Sequence, residues 1–355
     1  MRLAFEDVSY SYDGGQAKRR RGKRAAEKQE RRADWGNAPD ARWALREVTL
    51  AVEPGEFLGV AGHTGSGKST LIQHMNGLVH PTCGRVTADG EDLAAKGVAA
   101  KVRSHVGLVF QYPENQLFAT TVYDDVAFGP RNMKLPEEEV ARRVGEALEL
   151  VGLSVDEIGE RSPFDLSGGQ QRRVAFAGVL AMEPEVLVLD EPVAGLDPLS
   201  RADFLALIAS FHASGMTVVM VSHSMEDLAA LADRILVLSE GRVFALGTPA
   251  EVFADPAALK SVGLAAPAPQ AFANALREAG FALDRALYDE GTLAADIAAQ
   301  LGAGAAAVGD AASGAASADA VPEAADAGDA ASGGACADSG AACADRRSEG
   351  GVDRG

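Results

Sequence analysis

Cysteine is scarce in this chain of 355 residues: Cys83, Cys336 and Cys343 are an odd set whose spacing fits neither a disulfide framework nor a C-x-x-C pair. That scarcity argues against a stapled secreted domain and for a reduced, cytoplasmic compartment. Long hydrophobic runs are missing too, since no apolar stretch approaches the roughly eighteen residues of a spanning helix. The opening residues, MRLAFEDVSYSY, lack the apolar core of a signal peptide. Such a protein would serve a membrane only through partner subunits. Positive charge is also short: 33 Lys and Arg face 51 Asp and Glu, a formal net charge of −18. Phosphate neutralisation needs clustered cations, so this balance argues against a simple basic-patch nucleic-acid binder.

What is present is a hydrophobic content of 47%, enough for a substantial core in one large or two modest domains. RLAFEDVSYSY, with Leu3, Val8, Tyr10 and Tyr12, reads as a strand, and ALREVTLAVEPGE (44–56) as a second. Between them, residues 13–42 form an insertion carrying the basic run KRRRGKRAAEKQERR (18–32). Two readings of it stand, a solvated hairpin extension and a contact with anionic lipid headgroups. Further along, FLGVAG, VLVLD and TVVMVSH are short β-rich runs that end abruptly in polar residues. Near-continuous apolar strands belong to a parallel sheet covered on both faces, and ligands gather at the carboxyl ends of such strands. Helical patterns fall at 137–153, 172–182 and 199–215, and TPAEVFAD reads as a short helix capped by Thr248 with Glu251 three residues on. A small helical extension is expected over 251–302. Beyond about Gly302 the Ala, Gly, Ser and Asp composition predicts a disordered acidic tail, 303–355.

The chemistry concentrates in a few places. Gly62, Gly65, Gly67, Lys68 and Ser69 in GHTGSGKST satisfy G-x-x-x-x-G-K-[ST] between a strand and a helix. Glycines there let backbone N–H groups wrap phosphates, the lysine reaches the β- and γ-phosphates, and the serine ligates Mg²⁺. VLVLDEP ends a strand in an acidic pair: Asp190 would hold the magnesium through water, and Glu191 would orient and deprotonate the attacking water. His223, at the end of TVVMVSH, is placed to contact the γ-phosphate, and the amide of Gln111 to meet the metal or the attacking water. Tyr12 is an aromatic for the adenine, with Tyr10 as its competitor.

LSGGQQRR, Leu166 to Arg173, is a second anion cradle, with free N–H groups, a hydroxyl and a helix N-terminus. One nucleotide needs one cradle, so this turn is useful to a nucleotide held by another molecule. Two copies head to tail would each close the other's ATP, with Ser167 and Gly169 reaching the γ-phosphate held by the partner's Lys68. Asp197 in GLDP could link the two sites across that interface.

In their order, GHTGSGKST, FQYPENQLF, LSGGQ, VLVLDEP, GLDP and VSHSMED resemble the nucleotide-binding subunit of an ABC transporter, over residues 1–250. More narrowly, GHTGSGKSTLIQHMNGL, TVYDDVAFGP and RSPFDLSGGQQRRVAFAGVLAMEPEVLVLDEP look like the A-type ATPases, the second of the pair, of energy-coupling factor importers. The resemblance implies an α/β P-loop NTPase with a mixed β-sheet core and a helical subdomain at about 112–182. It implies ATP and Mg²⁺, with ATP lined by Tyr12, Gly62, His63, Thr64, Gly65, Ser66, Gly67, Lys68, Ser69, Thr70, Gln111, Asp190 and His223. Ser167, Gly168, Gly169, Gln170 and Asp197 would contribute in trans, and Ser69, Gln111 and Asp190 would hold the metal. Glu191, His223, Gln111 and Lys68 would be the catalytic set. The implied partners are a second ATPase, identical or related, a transmembrane T component that receives Pro113 to Phe118, and a substrate-specific S component for a vitamin or transition-metal ion. No nucleic acid is implied, and the place is peripheral, on the cytoplasmic face of the cell membrane. Two positions depart from the pattern: Val193 stands where threonine or serine is usual, and the insertion after Tyr12 lengthens the first hairpin. An ordinary binding-protein-dependent importer is the runner-up. Soluble repair and translation ATPases fit poorly, because only about a hundred residues separate Lys68 from LSGGQ and one cassette is present.

Overall fold

A computed structural model describes residues 1–12, 43–283 and 289–313, the stretch 302–313 as backbone only. The basic insertion and the chain after Ser313 lie outside the described residues. In chain order the first elements are β1 (Leu3–Ser11), β2 (Trp43–Val52), β3 (Phe57–Ala61), α1 (Lys68–Met75), β4 (Cys83–Ala88), β5 (Glu91–Asp92), α2 (Val98–Val102) and β6 (Val106–Val109). β1 pairs antiparallel with β2 and β4 in a sheet ordered β2-β1-β4-β5. Leu3, Phe5 and Val8 all face inward despite their uneven spacing, because the register shifts between Phe5 and Val8, where Asp7 holds φ +51°. One extra residue at a bulge resets the alternation.

A second sheet contains β3, β6, β7 (Val186–Asp190), β8 (Thr217–Val221), β9 (Arg234–Ser239) and β10 (Arg242–Gly247), ordered β10-β9-β3-β8-β7-β6. Its strands run parallel except β10, which is antiparallel to β9 at the edge. The inner parallel strands are buried on both faces, as their apolar runs require, while the edge strand β10 stays partly exposed. Leu58, Val60, Val188 and Val219 pack toward the antiparallel sheet and α1, whereas Phe57, Leu187, Leu189 and Met220 pack on the helical layer. Each such fully buried side chain contributes roughly 1.5–3 kcal/mol, so the strand ends are held in a rigid frame.

The helical layer comprises α3 (Val122–Asn132), α4 (Glu137–Leu150), α5 (Val155–Ile158), α6 (Gly168–Leu180) and, after β7, α7 (Pro198–Ala213). α6 starts four residues before its expected Arg172, because the two glycines of the turn are already helical. Arg143 of α4 pairs with Glu139 of the same helix at 2.7 Å and ties it to Glu183, just past the end of α6, at 2.9 Å. After β8 come α8 (Met225–Leu231), α9 (Pro249–Val252), α10 (Pro256–Ser261), α11 (Ala268–Glu278) and α12 (Glu290–Ser313). Thr248 and Glu251 form both halves of a capping box on α9. Ala273, Leu283 and Leu293 make a small core of their own in the extension. Met1–Leu301 form one compact unit. Past Gly302, where disorder was expected, the backbone of α12 remains helical to Ser313; alanine, the best helix former, accounts for the difference.

Candidate active site

β3 delivers the chain into the glycine loop, and two of its glycines have no substitute. A Cβ on Gly62 (φ +151°) would fall 2.5 Å from the Leu238 carbonyl oxygen. On Gly67 (φ +105°) it would fall 2.4 Å from the Ala44 carbonyl oxygen. Gly65 (φ +82°) instead faces open space, with nothing within 4 Å of a Cβ. Its left-handed backbone demands glycine all the same. The ammonium of Lys68, at the first turn of α1, donates to the carbonyls of Gly62 (2.6 Å) and His63 (3.1 Å). Burial lowers its pKa, while Glu191 and Asp190 pull it back up.

Register then brings the other strand ends alongside. Asp190 of β7 stands opposite Val221 of β8, and Val60 of β3 stands opposite Val221 from the other side. Ser69 Oγ donates to Asp190 Oδ2 at 3.3 Å. Glu191 holds φ +52°, unusual for a side-chain-bearing residue, and its N–H donates to Val221 O at 3.0 Å. His223 Nε2 lies 3.2 Å from Glu191 Oε1, an oxygen that is buried and has no hydrogen-bond partner. Burial pushes Glu191 up to about pH 7, opposed by a hydrogen bond from the His223 backbone and reinforced by Asp190. Asp190 is raised for the same reason, with Ser69, Lys68 and His223 opposing. His223 is lowered by burial and by Lys68.

These side chains share a cleft of about 500 Å³ with Tyr12, Thr64, Gly65, Gly67, Thr70 and Gln111. Tyr12, not Tyr10, lines it: its ring is largely exposed and its hydroxyl lies 3.0 Å from Thr70 Oγ1. Tyr10 backs it edge-on, with ring centroids 5.0 Å apart. Ser66 is fully buried beneath the loop, and His63 lines a neighbouring cleft with His223 rather than this one.

The second cradle is elsewhere on the chain. Ser167 caps α6 by accepting from Gln170 N at 3.4 Å, while Gln170 Oε1 accepts from Ser167 N at 3.1 Å. Gly168 and Gly169 are exposed with open space around them, and neither they, Ser167 nor Gln170 lines the Lys68 cleft. Asp197, also exposed, caps α7 through Leu199 N and Ser200 N at 3.1 and 3.0 Å. Hydrogen bonds from Ser200 and Leu199 hold its carboxyl below the usual range.

Three participants escaped the motif reading. Ala44 closes over Gly67 by its carbonyl, which no side-chain pattern reveals. Arg201 of α7 reaches the nearly buried carboxylate of Asp227 at 2.6 Å, tying the helix after Asp197 to the helix after His223. Arg172 is the third.

A P-loop, an acidic pair and a histidine converging from parallel strands on one cleft, with a capped glycine turn on a separate helical layer, define an ABC-type ATPase. Residues 45–194 match the ABC transporter family. The energy-coupling factor transporter ATP-binding protein EcfA2 of Symbiobacterium thermophilum is 59% identical over 284 residues, covering 80% of this chain and 91% of that protein. EcfA2 of Clostridium perfringens is 50% identical over 252 residues, covering 70% and 88%. Among solved structures, cbiO1 of Clostridium perfringens, part of the ABC transporter complex cbiONQ, superposes with a TM-score of 0.59 at 36% identity, over 74% of this chain and 94% of that one. The cassette MJ0796, dimeric in a post-hydrolysis state bound to ADP and Pi, gives 0.56 at 27% identity, over 70% and 98%. The chain belongs to the ATP-binding proteins of energy-coupling factor transporters.

Proposed function

We propose that this chain pairs with a second ABC ATPase, identical or related, and hydrolyses ATP to power uptake of a vitamin or transition-metal ion through a transmembrane T component and a substrate-specific S component. The observation that carries the paired arrangement is the separation of the two cradles: the Ser167–Gly169 turn is exposed and lines no part of the cleft holding Lys68. Each is half of a phosphate site, completed when a second molecule presents the other half.

In the assembled site Lys68 meets the β- and γ-phosphates, Tyr12 stacks on the base, and the partner's signature turn caps the γ-phosphate. The carboxylate of Asp190, the hydroxyl of Ser69 and the amide oxygen of Gln111 are a hard-oxygen set suited to Mg²⁺. Bound there, Mg²⁺ neutralises phosphate charge. Glu191, with a pKa near neutral and one buried oxygen without a partner, is poised to accept a proton from the attacking water. His223, its Nε2 3.2 Å from Glu191 Oε1, stands beside that carboxylate and faces the γ-phosphate.

A groove of about 780 Å³ lined by the end of α2, the 116–118 segment, α3 and α6 is where a membrane subunit docks. Its rim carries Phe118 and Phe128, both exposed, edge to face at 4.9 Å. Exposed aromatics of this kind mark an interaction surface. No described helix is long and apolar enough to cross a membrane, in keeping with peripheral attachment at the cytoplasmic face. The decisive experiment is Glu191→Gln: ATP binding is retained and turnover falls by a factor on the order of a hundred or more. Near-normal hydrolysis rejects the role of Glu191. Purifying the membrane complex and identifying its small membrane subunit tests the importer reading.

A further inference from the structure

Arg172 follows the signature turn on α6, and its side chain is 4% exposed. Its guanidinium engages two other segments at once. Nε and Nη2 donate to the two carboxylate oxygens of Glu114 at 3.0 and 2.8 Å, a bidentate fork. Nη1 donates to the Ala194 carbonyl at 2.9 Å and to the Pro192 carbonyl at 3.4 Å. The ring of Tyr112 lies 5.9 Å from its carbon, and a Cβ on Gly195 would sit 3.5 Å from that same ring. Glu114 belongs to the short turn Pro113–Gln116, which follows Gln111 and leads into the groove wall at Gln116 to Phe118. Pro192 and Ala194 lie between Glu191 and Asp197. One buried cation therefore joins the turn after Gln111, the signature helix and the loop after the acidic pair.

Simple packing does not call for this. A buried ion pair is often no more stabilising than apolar side chains of similar volume, and a lysine offers no planar donor set to replace the fork. We propose that Arg172 is a positioning residue that ties the Pro113–Gln116 turn to the 192–197 loop, so that Gln111 and Asp197 move as one body. A membrane subunit in the groove would then set both together, a clause that rests on the docking reading above.

The test uses the full-length chain in its transporter complex, with Glu114→Gln, Arg172→Lys, Arg172→Gln and the double variant Glu114→Gln/Arg172→Gln. Glu114→Gln preserves volume and does not touch residues 193–197, yet it should raise amide hydrogen exchange there severalfold and lower kcat about tenfold, with KM changed less than twofold. The double variant should be no worse than Arg172→Gln alone, and Arg172→Lys should lie between wild type and Arg172→Gln. Unchanged exchange at 193–197 in Glu114→Gln, or losses that multiply in the double variant, overturns the tie. Raised exchange with the same loss of kcat whether or not the membrane subunit is present keeps the tie and removes the docking reading.

Discussion

His74 offers a quantitative handle on the frame beneath the nucleotide cleft. It is fully buried at the end of α1; Nδ1–H donates to Thr70 O at 2.7 Å, and Nε2 has no partner. Its neighbours are the rings of Tyr10 at 5.0 Å and Phe5 at 6.5 Å, and the charged group that acts on it is His80, which disfavours protonation further. Burial, opposed by the Thr70 hydrogen bond, drives its pKa from 6.5 to about 4. The folded state therefore refuses a proton that the unfolded chain accepts between those values. Stability is complete above pH 6.5, declines as pH falls toward 4, and is lower by about 3 kcal/mol below that. Between about pH 7.5 and pH 5 the same pKa values give a loss of about 2 kcal/mol. Urea unfolding of the wild type and of His74→Leu at those two pH values isolates the effect, because titrations not coupled to His74 cancel in the difference. The leucine variant should lose about 2 kcal/mol less than wild type over that interval, whatever constant cost its missing Thr70 hydrogen bond imposes. Equal pH dependence in the two proteins refutes the account.

Ser167→Arg should leave ATP binding by the isolated chain intact and abolish ATP-dependent pairing, followed by light scattering; undisturbed pairing would remove the signature turn from the interface. Gly67→Ala should destabilise the fold by roughly 2–4 kcal/mol in thermal unfolding, since its Cβ would strike the Ala44 carbonyl. Gly65→Ala, with open space around its Cβ, should cost only about 1 kcal/mol from backbone strain and instead weaken ATP binding. Tyr12→Leu should weaken ATP binding about tenfold by calorimetry, the loss of one base–aromatic stack, whereas Tyr10→Phe stays within twofold.

Residues whose own side chains do chemistry in a local pattern were legible in the sequence. GHTGSGKST, VLVLDEP and the histidine of TVVMVSH each follow a local pattern, and the structure brings Lys68, Asp190, Glu191 and His223 into one cleft at the strand ends. Gly67 shows where such reading stops: its motif asks for glycine, but the object it must avoid, the carbonyl of Ala44, lies 23 residues away in sequence. The bulge at Asp7 was hidden for a similar reason, because a strand's alternation is reset only when a partner strand imposes its register. Arg172 is one cation of a basic pair, and nothing in RRVAFAGV reports that Glu114 and the Ala194 carbonyl converge on it.

By itself, the sequence determined the nucleotide chemistry, because phosphate cradles, strand-end carboxylates and helix caps are built from consecutive residues and short-range backbone geometry. It determined the sheet class as well, since strands buried on both faces need unbroken apolar runs. Tertiary structure alone decided which of two tyrosines faces the cleft. It also decided the near-neutral pKa of Glu191 and the joining of three segments by one guanidinium. Those outcomes depend on distances between parts of the chain far apart in sequence, where burial and through-space charge act without leaving a local pattern.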